Sequence, residues 1–319
     1  MKKFLLKISL FFFTGLILCS ISLFLIPEAR LKSSMLSAIP DKHKMLAKAT
    51  SPKIILLGGS NASFGFNSQK IIDAYHRPVV NTGITMDLGL KFIVADIKPY
   101  INKGDIIVFP VDYRCYDKSR TPYFDGKEAL VPVLFTVLPN ELLDTDFDEK
   151  MNLLRYLPHY AFSKLKAENL LQVFKITKSK SHYKDIYGRY SFNQYGDTYV
   201  HWTLPNKPFL PEGKSNAYEQ INPDVVNFLK DFSKYVIAKG ATLVMLPIAF
   251  QDTSFENQEV FIKKVDSALK KIDLPLATEP SRYKFPDKYF FNSPHHLNKL
   301  GVDKQTDMVI EDLAKIISH

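Results

Sequence analysis

The sequence contains little cysteine: Cys19 and Cys115 are the only two in 319 residues. Cys19 lies in an apolar N-terminal stretch, so a disulfide to Cys115 is not expected. Two cysteines by themselves cannot form a zinc cage. We therefore predict no metal site, no redox centre and no cofactor.

Two other classes of ligand are disfavoured by what the chain lacks. The net charge is +9, yet no basic run is interleaved with aromatic residues, so nucleic acid is not a predicted partner. The glycines at 58 and 59 are not followed by the Gly-Lys-Ser/Thr of a phosphate loop, so nucleotide binding is not expected. Hydrophobic residues make up 46% of the chain, which favours a packed globular core.

The long uncharged run at the N-terminus predicts a membrane helix. It extends from Ile8 to Ile26, follows the basic "MKKFLLK", and is long enough to cross the roughly 30 Å hydrocarbon core. No small-x-small pattern precedes Pro27, so we expect an uncleaved single-pass anchor, with a cleaved signal peptide as the alternative. The basic residues favour a cytoplasmic N-terminus and a globular part outside the cytoplasmic membrane, periplasmic or at the cell surface.

The expected organisation is an N-terminus and anchor over residues 1–26, a stalk over 27–50 and an α/β domain over 51–319. Buried strands are predicted at "KIILLGG", "RPVVNTG", "KGDIIVFPVDY", "ATLVMLPIAF" and "LPLATE", with helices between them. Such alternation is typical of right-handed parallel crossovers with both faces of the sheet covered. We predict a three-layer α/β fold with a five-stranded parallel sheet.

An insertion at about 118–215 interrupts this pattern and is predicted to be mostly helical. Its main helical stretch is "DEKMNLLRYLPHYAFSKLKAENLLQVFKI". Asp197 and His201 are candidates to line a pocket, or they belong to an ordinary turn. Trp202 and the many tyrosines would suit stacking on sugar rings, and would equally fill a core.

Residues able to support chemistry follow the predicted strand ends, where ligands bind in parallel sheets. Ser60 follows the first strand and Gly83 the second, while His295 and His296 precede the last helix. A serine needs a neighbouring base to act as a nucleophile, and a histidine can be that base. A backbone N–H at a glycine-containing strand end can hold an oxyanion.

These stretches resemble the SGNH, or GDSL-like, hydrolase superfamily. "GGSNASFGFNS", "VVNTGITMDLGLKF" and "FFNSPHHLN" are similar to a membrane-anchored, envelope-associated branch of that group. The resemblance implies the flavodoxin-like SGNH fold, a Ser60 nucleophile, a His296 base, and an oxyanion hole from Ser60, Gly83 and Asn61. "HHLNKLG" favours His296, with His295 as the alternative.

The sequence departs from the family pattern at two positions. Asp112-Tyr113 stands where the family has an asparagine after the third strand, and an ionised carboxylate cannot donate to an oxyanion. Asn292 stands near the place of the expected aspartate, and an amide oxygen can orient an imidazole. A Ser–His dyad, or a carboxylate from elsewhere such as Asp112 or Asp197, would also complete the site.

The function implied is a serine esterase or O-acyltransferase acting on acylated cell-envelope polysaccharide. Water or a sugar hydroxyl would accept the acyl group, and a multi-spanning membrane acyltransferase is a candidate partner. The alternative is an inactive SGNH-fold component that binds glycan or takes part in assembly. It would explain both departures as loss of catalysis.

Overall fold

The core of the fold is a parallel four-stranded sheet with strand order β2-β1-β3-β4. The computed structural model describes residues 1–26, 31–140, 147–173, 185–215 and 219–317. Parts of the predicted stalk and insertion therefore lie outside the described residues. The strands are β1 (Ile54–Leu56), β2 (Val79–Asn81), β3 (Ile106–Pro110) and β4 (Thr242–Leu246). The prediction of a mixed α/β fold with a parallel sheet is confirmed.

The side chains of the strands alternate between two apolar clusters, as a two-residue period requires. Ile55 and Ile107 belong to one cluster, and Ile54 and Val108 to the other. Both faces are buried under helices, which gives three layers. Fully burying one such aliphatic side chain stabilises the fold by about 1.5–3 kcal/mol.

The predicted fifth strand is not confirmed. In that stretch Leu276 forms one isolated parallel bridge with Met245, and the Ala277 N–H donates to the Met245 carbonyl at 2.9 Å. Pro275 accepts from the Met245 N–H but has no N–H of its own to extend a ladder. The fifth position at the sheet edge is therefore held by one bridge instead of a strand.

The helices lie between and around the strands. Along the domain they are α2 (Ile39–Lys48), α3 (Ser60–Ser63), α4 (Ser68–Tyr75), α5 (Leu90–Ile97), α6 (Pro122–Asp125), α7 (Leu130–Pro132), α8 (Phe147–Leu154), α9 (Leu157–Ser163), α10 (Ala167–Val173), α11 (Pro223–Ala238), α12 (Asp252–Lys270) and α13 (Lys299–Ile317). A π-helical turn covers Val133–Val137. Short strands β5 (Phe250–Gln251) and β6 (Lys284–Phe285) pair in parallel, whereas β7 (Phe290–Ser293) and β8 (His296–Leu297) form an antiparallel hairpin.

The main helical stretch of the insertion is divided into α8, α9 and α10. Pro158 lies in the first turn of α9, where a proline is tolerated, but it cannot continue a helix that arrives from α8. The apolar spacing of this stretch is therefore helical, while its continuity is broken at the proline.

The predicted stalk differs from the structure over residues 35–48. Ile39 and Leu46 of α2 are buried in the larger apolar cluster. Lys42 is buried as well, and its Nζ donates to the carbonyl oxygens of Asn81 at 2.8 Å and Gly196 at 2.7 Å. Burial lowers the pKa of Lys42 to about 7, although the charge of Asp197 opposes the shift. This segment is thus part of the folded domain.

The N-terminal helix α1 (Lys2–Leu25) is apolar and long enough to cross a membrane. By length and composition a signal sequence would pass the same test. Its last turn contacts the insertion: Ser22 Oγ donates to the Ala161 carbonyl at 2.5 Å, and Lys164 Nζ donates to the Leu23 carbonyl at 2.6 Å.

Candidate active site

The turn after β1 and the loop after β2 are packed so closely that each contains a position where only glycine fits. A Cβ on Gly59 would lie 2.5 Å from Met86 Cγ and 2.7 Å from the Met86 nitrogen. A Cβ on Gly83 would lie 2.5 Å from the Ser63 nitrogen and 2.7 Å from the Gly59 oxygen. The loop after β2 thus presses against the turn that carries Ser60, as the strand-end pattern predicts.

The β7–β8 hairpin positions His296. Ser293 Oγ accepts hydrogen bonds from the N–H groups of His295 at 3.3 Å and His296 at 3.1 Å, which fixes the connecting turn. The His296 imidazole then stacks on the Phe64 ring, with centroids 4.4 Å apart and planes at 15°.

This stacking brings His296 to the helical turn of Ser60. The Phe64 N–H donates to the Ser60 carbonyl at 2.9 Å, so the two residues are one turn apart. Side chains four apart lie on the same face of a helical turn. A hydroxyl from the beginning of the domain and an imidazole from its end therefore share one edge of the sheet.

The tautomer of His296 follows from its contact with Asn292. His296 Nδ1 lies 2.9 Å from Asn292 Oδ1, while Asn292 Nδ2 donates to the Tyr187 hydroxyl at 2.8 Å. Because an amide oxygen only accepts, Nδ1 carries the proton and Nε2 is left with its lone pair. The position of Asn292 thus matches the orienting role that the sequence suggested for its amide oxygen.

Burial lowers the pKa of His296 to about 3, with further lowering from His295, His201 and Arg114 against an opposing effect of Asp112. The imidazole is therefore neutral at ordinary pH and available as an acceptor. Its basicity is low because it is buried and because, among the described residues, no carboxylate is hydrogen-bonded to the ring to stabilise the imidazolium.

The predicted oxyanion donors are only in part free. The Gly83 N–H donates to Asn81 Oδ1 at 3.0 Å, and the Asn61 side-chain amide donates to the Pro110 carbonyl at 2.7 Å. Both groups are thus engaged within the protein, which differs from the expected use of Gly83 as a donor. The backbone N–H groups of Ser60 and Asn61 lie in the first turn of α3, where the helix itself supplies no acceptors.

Asp112 does not complete the site as the carboxylate partner of His296. It is buried and held in a two-point ion pair, Arg114 Nε to Oδ1 at 3.0 Å and Arg114 Nη2 to Oδ2 at 2.6 Å. Burial alone would raise the pKa of Asp112, but Arg114 and His295 hold it well below its usual range. The residue is therefore ionised and cannot donate to an oxyanion.

Asp197 and His201 are both buried and hydrogen-bonded to other parts of the fold. Asp197 accepts hydrogen bonds from the Ser68 N–H and hydroxyl and from Asn81, at 2.7–2.9 Å, and burial raises its pKa. His201 lies 2.9 Å through Nε2 from the Leu297 carbonyl, and burial lowers its pKa to about 4. Asp197 is thus bonded to α4 and β2, and the pocket role suggested for it differs from what these contacts support.

His295 points into a different environment from His296. Its ring stacks on Phe250 with centroids 4.8 Å apart, and its Nε2 lies 3.1 Å from Glu212 Oε1. That hydrogen bond, more than the opposing effect of burial, lowers the pKa of Glu212. Of the two adjacent histidines, the one on the Ser60 side is His296.

A small pocket, partly open to solvent, lies beside His295. Four carboxylates and two guanidinium groups contribute to its wall together with Tyr113, whose buried hydroxyl has no partner among the described residues. The charged side chains are Asp112, Arg114, Asp117, Arg120, Glu212 and Glu219. Much of this charge is paired, Arg114 with Asp112 and Arg120 with Asp117, and Phe250 and Phe261 complete the wall.

Sequence reasoning missed three residues of this region. Arg114, two positions after Asp112, could have been found by that spacing. Tyr187 and Glu212 come from the insertion and belong to no recognisable motif. Tyr187 is held in place by its carbonyl, which accepts from the Met35 N–H at 2.9 Å.

No group of three or more histidine, cysteine or acidic side chains that could hold a metal occurs among the described residues. The chain matches no family model, no curated protein and no solved structure. The geometry of the site therefore carries the functional argument by itself.

Proposed function

We propose that the protein is an SGNH-like serine esterase or O-acyltransferase that acts on acylated cell-envelope glycans. The observation that carries the proposal is the pair of hydrogen bonds Tyr187–Asn292–His296. They fix the imidazole with its Nε2 lone pair free, on the face of the turn that carries Ser60.

In the first half-reaction, Ser60 Oγ attacks the acyl carbonyl carbon while its proton passes to His296 Nε2. The N–H groups at the start of α3 stabilise the oxyanion of the tetrahedral intermediate. The bond from the carbonyl carbon to the sugar oxygen then breaks, and the proton on Nε2 goes to that oxygen. The acyl group is left on Ser60.

In the second half-reaction, water or a hydroxyl of another sugar gives its proton to Nε2 and attacks the acyl carbon. The ester bond to Ser60 breaks, and Oγ takes the proton back. Hydrolysis and transfer share every residue and differ in the acceptor that the pocket admits.

We further propose that α1 anchors this domain outside the cytoplasmic membrane, in a single pass. Its apolar surface is exposed up to the last turn, and the basic residues at its N-terminal end favour the cytoplasmic side for that end.

The second candidate function is a non-catalytic glycan-binding component. Three observations favour it. The Gly83 N–H already donates a hydrogen bond to Asn81, Asp112 is ionised, and the pKa of His296 is lowered to about 3. A weakly basic imidazole and a reduced oxyanion hole would both slow acyl transfer.

A fluorophosphonate probe on the detergent-solubilised full chain separates the two candidates. The enzyme requires labelling of the wild-type chain that is lost in Ser60→Ala. Ser63→Ala is the matched control, because Ser63 lies in the same turn and its hydroxyl is bonded to the Ser60 carbonyl at 3.1 Å. A folded wild-type chain that stays unlabelled but retains acylated polysaccharide would favour the binding component.

A further inference from the structure

The insertion meets α1 at the end where that helix would leave a membrane. Ser22 is almost fully buried against α9, through its bond to the Ala161 carbonyl, and Lys164 caps the Leu23 carbonyl. These contacts fix the position of α9 relative to the last turn of α1.

The depth of that contact follows from helix geometry. If the hydrocarbon begins at Ile8, the rise of 1.5 Å per residue places Leu23 about 22–24 Å farther along the axis. A hydrocarbon core of about 30 Å then ends only some 6–8 Å beyond Leu23. Helices that lie in the membrane interface bury their apolar face by about 5–10 Å. The contact between α9 and α1 is therefore at interfacial depth.

The helices of the insertion carry large apolar side chains that the protein leaves uncovered. Phe162, which follows Ala161 in α9, is 63% exposed. The others are Met151, Leu154, Leu170 and Leu171, together with Leu165 in the turn between α9 and α10. Arg155 and Lys166 are exposed between them, and long basic side chains at such a level extend their charge to the headgroups.

We propose that α8, α9 and α10 lie on the outer leaflet of the bilayer that α1 spans, with Phe162 inserted at the boundary of headgroups and acyl chains. This inference rests on the anchor in the proposed function. Lipid is the partner of this apolar surface, because a segment bonded to Ser22 and Leu23 lies close to the bilayer that surrounds the same helix.

The test measures quenching of tryptophan by brominated acyl chains in the full-length protein. The chain has one tryptophan, Trp202, so a Trp202→Phe background allows single probes. Phe162→Trp is the probe. Leu16→Trp, within α1, is the membrane control, and Leu300→Trp, an equally exposed apolar position on α13, is the aqueous control. The vesicles are phosphatidylcholine with phosphatidylglycerol, with and without bromine on the acyl chains.

The expected result is loss of emission in brominated vesicles for Leu16→Trp and Phe162→Trp, with no loss for Leu300→Trp. If Leu16→Trp is quenched but Phe162→Trp is not, like Leu300→Trp, the proposed membrane contact of α8, α9 and α10 is wrong, whereas the proposed anchor α1 is supported. If Leu16→Trp also escapes quenching, the anchor is overturned and the surface with it. Fluorophosphonate labelling of Ser60 in the same vesicles reports the catalytic proposal independently.

Discussion

His296 donates through Nδ1 to the amide oxygen of Asn292 across 2.9 Å, in the position where a carboxylate would make the imidazole a stronger base. The amide gives the ring its orientation without a negative charge. This one contact combines a fixed tautomer with low basicity, and it sets the first prediction.

Asn292→Asp should increase reactivity. A carboxylate at this distance typically raises the pKa of a neighbouring imidazole by about 1–3 units, because it stabilises the charged form. We expect faster fluorophosphonate labelling of Ser60 near pH 7, and an acidic limb of the pH–rate profile that moves upward from about 3 by a similar amount. Asn292→Leu is the control, and labelling as fast as in Asn292→Asp would contradict an electrostatic origin.

Tyr187→Phe should slow labelling without unfolding the chain. The Tyr187 hydroxyl accepts from Asn292 Nδ2 at 2.8 Å and so keeps the amide oxygen turned towards His296. Loss of one such hydrogen bond costs about 1 kcal/mol, or roughly a five-fold change in rate. Tyr190→Phe, an exposed tyrosine nearby, should label at the wild-type rate. Equal slowing in both variants would remove Tyr187 from the site.

Gly83→Ala should disrupt the contact between the loop after β2 and the Ser60 turn. The added Cβ would lie 2.5 Å from the Ser63 nitrogen, and neither backbone segment can yield cheaply. Overpacking of this kind typically costs about 1–3 kcal/mol, so we expect a lower melting temperature together with lost labelling. Gly213→Ala, where no atom lies within 4 Å of the new Cβ, should melt like the wild type.

Lys42 should make the stability of the domain depend on pH in the alkaline range. Its folded pKa of about 7 lies below the unfolded value near 10.4, so between these two pH values the unfolded chain binds more protons. The free energy of unfolding should therefore rise with pH across that window, by at most roughly 1.4 kcal/mol per pH unit.

Thermal or denaturant unfolding from pH 6 to pH 10 measures this effect. Lys42→Met should flatten the profile over the window and lower stability, because the Asn81 and Gly196 carbonyls lose their donor. A wild-type profile that falls between pH 7 and 10 in step with the Lys42→Met profile would show that Lys42 does not titrate there.

Much of this architecture could be predicted because it is written in local patterns. Apolar runs bordered by glycine on one side predicted β1 to β4. The positions of Ser60 after the first strand and His296 before the last helix predicted that the two would lie at one edge of the sheet. The predicted fifth strand does not form, because Pro275 has no N–H to extend the ladder and only one bridge remains. Lys42 lies in the segment predicted as a stalk, and its sequence neighbours do not indicate that two carbonyl groups from distant segments accept hydrogen bonds from its ammonium group. Tyr187 belongs to no sequence motif, because its role depends on a contact with Asn292, which is far away in the sequence.

The backbone hydrogen bond from Met35 to Tyr187 limits how far the site can lie from the end of α1. Fully extended, the chain from Ile26 to Met35 spans at most about 30 Å, so with an anchored α1 the tyrosine that steadies Asn292 stays within that height of the lipid surface. Polymers held at the membrane by a lipid would then present their acyl groups at high local concentration, whereas strands deep in the wall would need slack to reach down. With an anchored α1, a short reach of this kind would select substrates by where they are tethered, before any side chain had touched them.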